Sequence, residues 1–281
     1  MNVRLFLRYD GTAYHGWQIQ NKDGKESSSL RTVQGTLSKA LKELYGESFT
    51  GIFQGNDGVE PIGVSRTDAG VHADTYCANF HTDNETIPAE KIRYAIRQFL
   101  PSDICVYRSE RVPDDFHARF DVISKTYKYL FYTGEFPLPC LENKAWHISL
   151  KKGTELNLDD MNTAIKGLLG THDFDAFCAA GGSAKTSERT IFDAHVEKQE
   201  APFLVSQSIP DNDFKLYALY VTGDGFLYNM VRIIAGTAVY AGQGKIDPKS
   251  IPRIIASKDR KKAGITAPAC GLYLNDLKYP Y

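Results

Sequence analysis

The segment Gly63–Ala73 combines a carboxylate and a cation that could do chemistry together. Arg66 precedes Asp68 by two residues, and the Thr, Asp and Gly residues between two apolar, β-prone runs predict a loop. Loops on rigid scaffolds often carry catalytic groups, and a nearby cation favours the ionised form of a carboxylate. The sequence therefore predicts a catalytic Asp68 supported by Arg66. The alternative is a surface turn in which Asp68 caps its own backbone.

A single carboxylate restricts the reactions that this loop can catalyse. Hydrolysis at the anomeric carbon of a sugar usually employs two carboxylates, and the nearest other acid in sequence is Asp74. One Asp can still act as a nucleophile or stabilise an oxocarbenium-like centre. It is sufficient when the leaving group stays in the site and no separate water is needed.

Strands and helices on both sides of Asp68 must position this loop. Residues 1–112 are predicted to form a strand, a helix, a strand, the Asp68 loop, a strand, a helix and a strand, with the helices beginning at Thr32 and Pro88. Residues 113–281 show a similar mixture. The sequence predicts an α+β fold of two halves, 1–112 and 113–281, and the short connections favour antiparallel strand pairing.

Nine segments of the chain resemble, in the same order, motifs of the tRNA pseudouridine synthase A (TruA) family. The matching segments are Tyr9–Gln18, Thr32–Gln34, Arg66–Ala73, Leu100–Ile104, Phe116–Phe120, Tyr127–Tyr129, Gly170–Phe174, Phe226–Arg232 and Gly271–Leu274. Two segments depart from the family pattern, because residues 21–31 and 51–61 are longer than expected. The choice of target uridine is therefore less well predicted than the chemistry.

The resemblance implies a fold, an activity and partners. It implies the pseudouridine synthase fold, in which two similar halves join their sheets and the active cleft lies between them. It also implies isomerisation of uridine to pseudouridine in the anticodon stem-loop of tRNA, at nucleotides 38–40, by a homodimer in which one tRNA touches both subunits. The uracil detaches from C1′, rotates and is reattached through C5, so no cofactor, metal or water is consumed. A single carboxylate is therefore sufficient for this reaction.

Four residues are predicted to be catalytic: Asp68, Arg66, Tyr127 and Arg232. Tyr127 occupies the first tyrosine position of a Tyr-x-Tyr strand motif, where it would stack on a flipped base or relay the C5 proton. The resemblance implies that Arg232 reaches the catalytic Asp. An ordinary strand aromatic and a solvated arginine are the alternatives for these two positions.

A second group of residues is predicted to bind the substrate. Leu272 matches an apolar wall residue of the family, although core packing explains it equally well. The others are Tyr127, His72, Arg119, Lys185 and Arg189. His72 is either structural or in contact with RNA, because no metal-ligand spacing accompanies it. Lys185 and Arg189 are interpreted as contacts to the RNA backbone.

Composition limits the function classes further. The 33 Lys and Arg residues against 34 Asp and Glu residues give a net charge of −1, so RNA binding requires the basic residues to gather in one groove. The five cysteines show no metal or disulfide spacing, and the absence of an apolar leader or membrane span predicts a cytoplasmic protein. The rival interpretations are an RNA-binding protein without turnover and an N-glycosylase that releases free base.

Overall fold

The computed structural model describes residues 1–22, 25–26, 30–46, 60–151, 153–182, 184–200 and 214–280. The helices are α1 (Val33–Tyr45), α2 (Ile92–Ala95), α3 (Leu158–Lys166), α4 (Met230–Gly242) and α5 (Ile251–Ser257). The strands are β1 (Asn2–Tyr9), β2 (Asn21–Lys22), β3 (Lys25–Glu26), β4 (Ile62–Gly63), β5 (His72–His81), β6 (Ile104–Val112), β7 (Ser124–Gly134), β8 (Trp146–Ser149), β9 (Gly170–Asp173), β10 (Glu188–Gln199), β11 (Lys215–Gly223) and β12 (Leu272–Lys278). This mixture confirms the α+β prediction.

The chain divides into two compact units at a different place from the predicted one. The first unit contains residues 1–123 together with the residues from Leu274 onward, and the second contains residues 124–273. The predicted boundary at residue 112 differs because the segment after β6 stays attached to the first unit. The side-chain amide of Asn2 on β1, for example, donates to the carbonyl of Phe116 over 2.9 Å.

The first unit is organised around β1. This strand pairs antiparallel with β5 on one side and with β6 on the other, and the strand order is β6-β1-β5-β12. Val3, Leu5 and Leu7 are fully buried on one face of β1, and Asn2 and Arg4 on the other face are buried as well. The sheet therefore provides a rigid base for the loop between β4 and β5.

Helix α1 buries one apolar face, and Tyr45 near its end lies against Phe80 of β5, with 6.2 Å between ring centroids. The hydroxyl of Thr32 caps the helix by accepting from the amide of Gly35. Val33, Leu37 and Leu41 are buried on one side of the helix. The helix predicted between Pro88 and Pro101 is shorter, because only α2 is α-helical and 3₁₀ turns flank it.

The second unit has the strand order β7-β11-β10-β9, in which neighbouring strands are antiparallel, and β8 is parallel to β7. Helix α3 packs on β10 through Asn162, which exchanges two hydrogen bonds of 2.9 Å with the backbone of Val196. Asn157 caps α3, and the helix ends at Lys166 and does not continue to Gly170. Gly170 instead begins β9, which the sequence analysis did not predict.

The two segments that depart from the family pattern are only partly within the described residues. In the first, β2 and β3 pair antiparallel with each other. In the second, residues 51–59 lie outside the described residues. The side-chain amide of Gln34 on α1 donates to the carbonyl of Pro61, over 3.1 Å, where the described chain resumes.

Candidate active site

Asp68 lies at the start of a tight turn in the segment Val64–Val71, hereafter the Asp68 loop. The amide of Val71 donates to the carbonyl of Asp68 over 3.2 Å, which closes the turn. Gly70, the third residue of the turn, has φ of 78°, a conformation that favours glycine over residues with a Cβ. The turn therefore fixes the backbone of Asp68.

The segment that follows β1 holds the Asp68 loop from the other side. The amide of Trp17 donates to the carbonyl of Thr67 over 3.1 Å, and the amide of Gly70 donates to the carbonyl of Tyr14 over 3.2 Å. The hydroxyls of Tyr9 and Thr67 form a buried hydrogen bond of 2.9 Å. Both neighbours of the Asp68–Ala69 pair are thus hydrogen-bonded to a segment about 50 residues earlier in the chain.

Two aromatic rings support the beginning of the loop. The hydroxyl of Tyr76 on β5 donates to the carbonyl of Ser65, and the indole of Trp17 stacks on the Tyr76 ring at 4.2 Å between centroids. A methyl group on Gly63 would lie only 2.2 Å from the Tyr76 hydroxyl oxygen. The chain must therefore have glycine here to approach the stacked rings closely.

Gly16 is a close approach between the two segments. Its φ is +89°, and a Cβ at this position would lie 2.3 Å from the carbonyl oxygen of Thr67. Both the backbone conformation and the lack of space require glycine. The position of Thr67, and with it that of Asp68, depends on this contact.

The polar side chains around the loop differ strongly in exposure. Arg66 is exposed, Asp68 is half-buried and His72 is only 2% exposed. The Nδ1 atom of His72 accepts from the amide of Gly11 over 3.0 Å. This burial favours the structural interpretation of His72 over the predicted RNA contact, because its ring holds the turn after β1 against the start of β5.

Tyr127 lies in the second unit, on β7, opposite Val221 of β11. Its side chain is 6% exposed, and its ring meets the Phe226 ring edge-on, with 5.0 Å between centroids and an interplanar angle of 84°. Edge-to-face packing of this kind holds an aromatic side chain in one orientation. Phe226 is a supporting residue to which the sequence analysis gave no role.

Arg232 lies on α4, which packs on β7, and its guanidinium is held by two hydrogen bonds. Nε donates to the carbonyl of Ala267 over 2.7 Å, and Nη1 donates to the side chain of Asn229 over 2.6 Å. Asn229, the residue before the helix, has a left-handed backbone conformation with φ of 59°. Arg232 is therefore an oriented side chain and not the solvated arginine of the alternative interpretation.

The remaining predicted residues are distributed over both units. Arg119 is exposed in the first unit. In the second unit Leu272 is buried at the start of β12, Lys185 is exposed, and Arg189 is half-buried on β10. Nη1 of Arg189 donates to the carbonyl of Thr186 over 3.0 Å, so it braces the connection that contains Lys185.

The predicted site residues form one group in each unit. Arg66, Asp68 and His72 share the Asp68 loop and the start of β5, whereas Tyr127 and Arg232 share the packed elements β7 and α4. Across the described ranges, no three His, Cys, Asp or Glu side chains are grouped as a metal site would require. The same residues include no helix long and apolar enough to cross a membrane.

The sequence analysis missed the residues that position Asp68. Tyr9, Trp17 and Tyr76 all contact the loop, and the first two belong to a family motif for which no role was predicted. Aromatic residues beside a Gly-rich turn were the available signal. Their partners were not predictable, because these contacts join residues far apart in sequence.

Comparisons with known proteins agree with the motifs. A family model described as tRNA pseudouridine synthase matches residues 6–121 and 164–280. The chain is 44% identical over 278 residues to a tRNA pseudouridine synthase A of Acetivibrio thermocellus, covering 99% of both proteins. It is 44% identical over 278 residues to tRNA pseudouridine synthase A 2 of Clostridium tetani, covering 99% of this chain and 98% of the relative. The predicted resemblance is confirmed, and the chain belongs to the tRNA pseudouridine synthase family.

Proposed function

We propose that this protein isomerises uridine to pseudouridine in tRNA, with Asp68 as the essential carboxylate. The observation that carries the proposal is the fixation of the Asp68 backbone. The turn closed by Val71 and the hydrogen bonds at Thr67 and Gly70 hold it from both sides. A catalytic group held in this way needs little reorganisation during the reaction.

The reaction that we assign to the site is balanced without an added reactant. The C1′–N1 bond breaks, the uracil turns within the site, a C1′–C5 bond forms, and the proton on C5 leaves while N1 gains one. Asp68 attacks C1′, attacks the base or removes a ribose proton, and Arg66 supports its charge. Tyr127 provides an aromatic face for the flipped base, Arg232 a second cation and Leu272 an apolar wall.

We further propose that the targets are uridines of the anticodon stem-loop and that the enzyme works as a cytoplasmic homodimer. Arg119, Lys185 and Arg189 are assigned to phosphate contacts. Arg119 and Lys185 are exposed, as such contacts require. The buried His72 is assigned a positioning role instead.

The experiment that tests the proposed function is incubation with a uridine-labelled tRNA transcript, followed by digestion and nucleoside analysis. We expect labelled pseudouridine at an anticodon stem-loop position and no free uracil. Free uracil would indicate an N-glycosylase, and unchanged uridine with tight binding would indicate an RNA-binding protein without turnover.

We expect the affinity for tRNA to fall steeply with salt. The chain has a net charge of −1, so binding must depend on basic residues gathered in one groove, and each phosphate contact releases counterions. The affinity measured by filter binding should fall at least about tenfold between about 50 and 200 mM salt.

Light scattering at the same protein concentration should give the mass of a dimer. Salt-independent binding would contradict the groove, and a monomer mass would contradict the dimer.

Tyr127→Phe is expected to lose turnover while it retains tRNA affinity. The substitution keeps the ring that packs against Phe226 and removes only the hydroxyl, so stacking survives and proton transfer does not. A general acid or base contributes about a hundredfold or more, and single-turnover formation of pseudouridine should fall accordingly.

Tyr129→Phe is the matched control on the same strand, since the Tyr129 hydroxyl donates to the carbonyl of Pro268 over 2.7 Å. Its loss should lower the melting temperature and leave the chemical step of the folded enzyme near wild type. Wild-type turnover of the Tyr127→Phe variant would leave Tyr127 with a stacking role alone.

A further inference from the structure

Phe120 is one of the most exposed large apolar side chains among the described residues. It is 73% exposed, on the turn Phe116–Asp121 that follows β6. The amides of Phe120 and Asp121 both donate to the carbonyl of His117, over 3.1 and 3.0 Å, and close the turn. The ring is therefore presented to solvent by a compact turn.

Buried polar side chains fix this turn to the sheet of the first unit. Asn2 and Asn79 are both fully buried, and the side-chain amide of Asn2 donates to the carbonyl of Phe116 over 2.9 Å. The amide of Ala118 donates to the side-chain oxygen of Asn79 over 2.9 Å, and the Tyr279 hydroxyl donates to the carbonyl of Ala118 over 2.7 Å. The exposed ring thus rests on a rigid base.

Phe120 lies beside an aromatic ring and a cation, and the carboxylate of Asp121 on the same turn accepts from the amide of His117 over 2.8 Å. The imidazole of His117 lies with its centroid 4.2 Å from that of Phe120, at an interplanar angle of 30°. The guanidinium carbon of Arg119 lies 5.8 Å from the Phe120 centroid. His117 supports one side of the ring, and Arg119 places a positive charge beside it.

This combination fits an unpaired nucleotide. Bases stack on exposed aromatic rings without sequence preference, and an adjacent arginine attracts the phosphate that flanks the stacked base. A rigid platform limits the entropy lost when the complex forms. A hydrophobic protein partner would require a wider apolar patch than one ring bordered by an arginine and a histidine.

We propose that Phe120 is a stacking platform for an unpaired base of the RNA substrate and that Arg119 contacts the adjacent phosphate. This inference rests on the proposed function, because it assigns a binding element to the same tRNA. It names Phe120 as a substrate-binding residue in addition to those predicted from the sequence.

The test compares Phe120→Ala, Phe120→Leu and Phe120→Trp in the full-length chain by filter binding to the tRNA transcript. We expect Phe120→Ala and Phe120→Leu to bind about tenfold more weakly, since losing one base stack has roughly this effect. Phe120→Trp should bind within about twofold of wild type, because indole also stacks. Tryptophan emission of this variant, after subtraction of the wild-type signal, should be quenched by RNA.

Phe136→Ala and Phe136→Trp are the matched controls. Phe136 is 75% exposed in the second unit, and its neighbours in sequence, Glu135 and Pro137, include no cation that could bind the flanking phosphate. These variants should bind tRNA as wild type does, and RNA should leave the added emission unchanged.

Equal tRNA affinities of Phe120→Ala and Phe136→Ala, or wild-type tRNA affinity of Phe120→Leu, would overturn the proposal that Phe120 stacks on a base. Unquenched emission from Phe120→Trp would also overturn it. The binding measurements test the stacking role of Phe120 whether or not the protein turns over its substrate. A wild-type protein that forms no pseudouridine would instead overturn the proposed function.

Discussion

Asp68→Asn is expected to bind tRNA normally and to form almost no pseudouridine. The substitution preserves the size of the side chain and removes the charge and the nucleophilic oxygen. Phosphate and stacking contacts provide most of the binding free energy, so binding survives. We expect the fold to survive as well, because backbone hydrogen bonds at Thr67, Asp68 and Gly70 hold the loop in either variant.

The measurement is pseudouridine formed per enzyme in a single turnover, beside filter binding and a melting curve. Asp74→Asn is the control, because Asp74 is the nearest other acid in sequence and lies on β5. We expect it to retain turnover. If the folded Asp68→Asn variant still converts tRNA faster than about a hundredth of the wild-type rate, Asp68 is not the catalytic group.

Gly16→Ala is expected to lower turnover by at least tenfold without a change at any predicted catalytic residue. The added methyl group would lie 2.3 Å from the carbonyl oxygen of Thr67, so the loop or the Gly16 segment must move. A displacement of Asp68 by about 1 Å is sufficient to lose up to a hundredfold in rate. Affinity for tRNA should change little, and the melting temperature should fall.

Gly244→Ala separates this clash from backbone strain. Gly244 has φ of +70°, and a Cβ there would have no atom within 4 Å. This variant should therefore show only the loss of about 1 kcal/mol that a left-handed alanine causes, with turnover of the folded enzyme unchanged. Equal turnover of the two variants would mean that Gly16 does not position Asp68.

The local parts of this fold were predictable from the sequence. The helix start at Thr32 was predicted, and Val33, Leu37 and Leu41, which recur at helical spacing, form the buried face of α1. Turn residues between two β-prone runs predicted the Asp68 loop. These features depend on residues close together in the chain, where side-chain period and turn chemistry decide the outcome.

Long-range contacts were not predictable in the same way. The hydroxyl of Tyr76 supports Ser65, and the hydroxyl of Tyr9 supports Thr67, but no pattern in the sequence connects these partners. The burial of His72 depends equally on the amide of Gly11, which the fold brings to it. The roles of Tyr127 and Arg232 followed from the resemblance to a family and not from periodicity, and they remain to be tested by substitution.

The place of β12 has a consequence for how the protein is made. Strand β5 leaves the ribosome early in synthesis. Strand β12, which lies beside β5 on the side away from β1, leaves it only when the second unit has been almost completely translated. The first unit therefore waits for this strand while residues 124–273 are translated, and the part of the β5 edge that is not paired with β4 stays open until then. The first unit is therefore the first to be started during translation and the last to be completed.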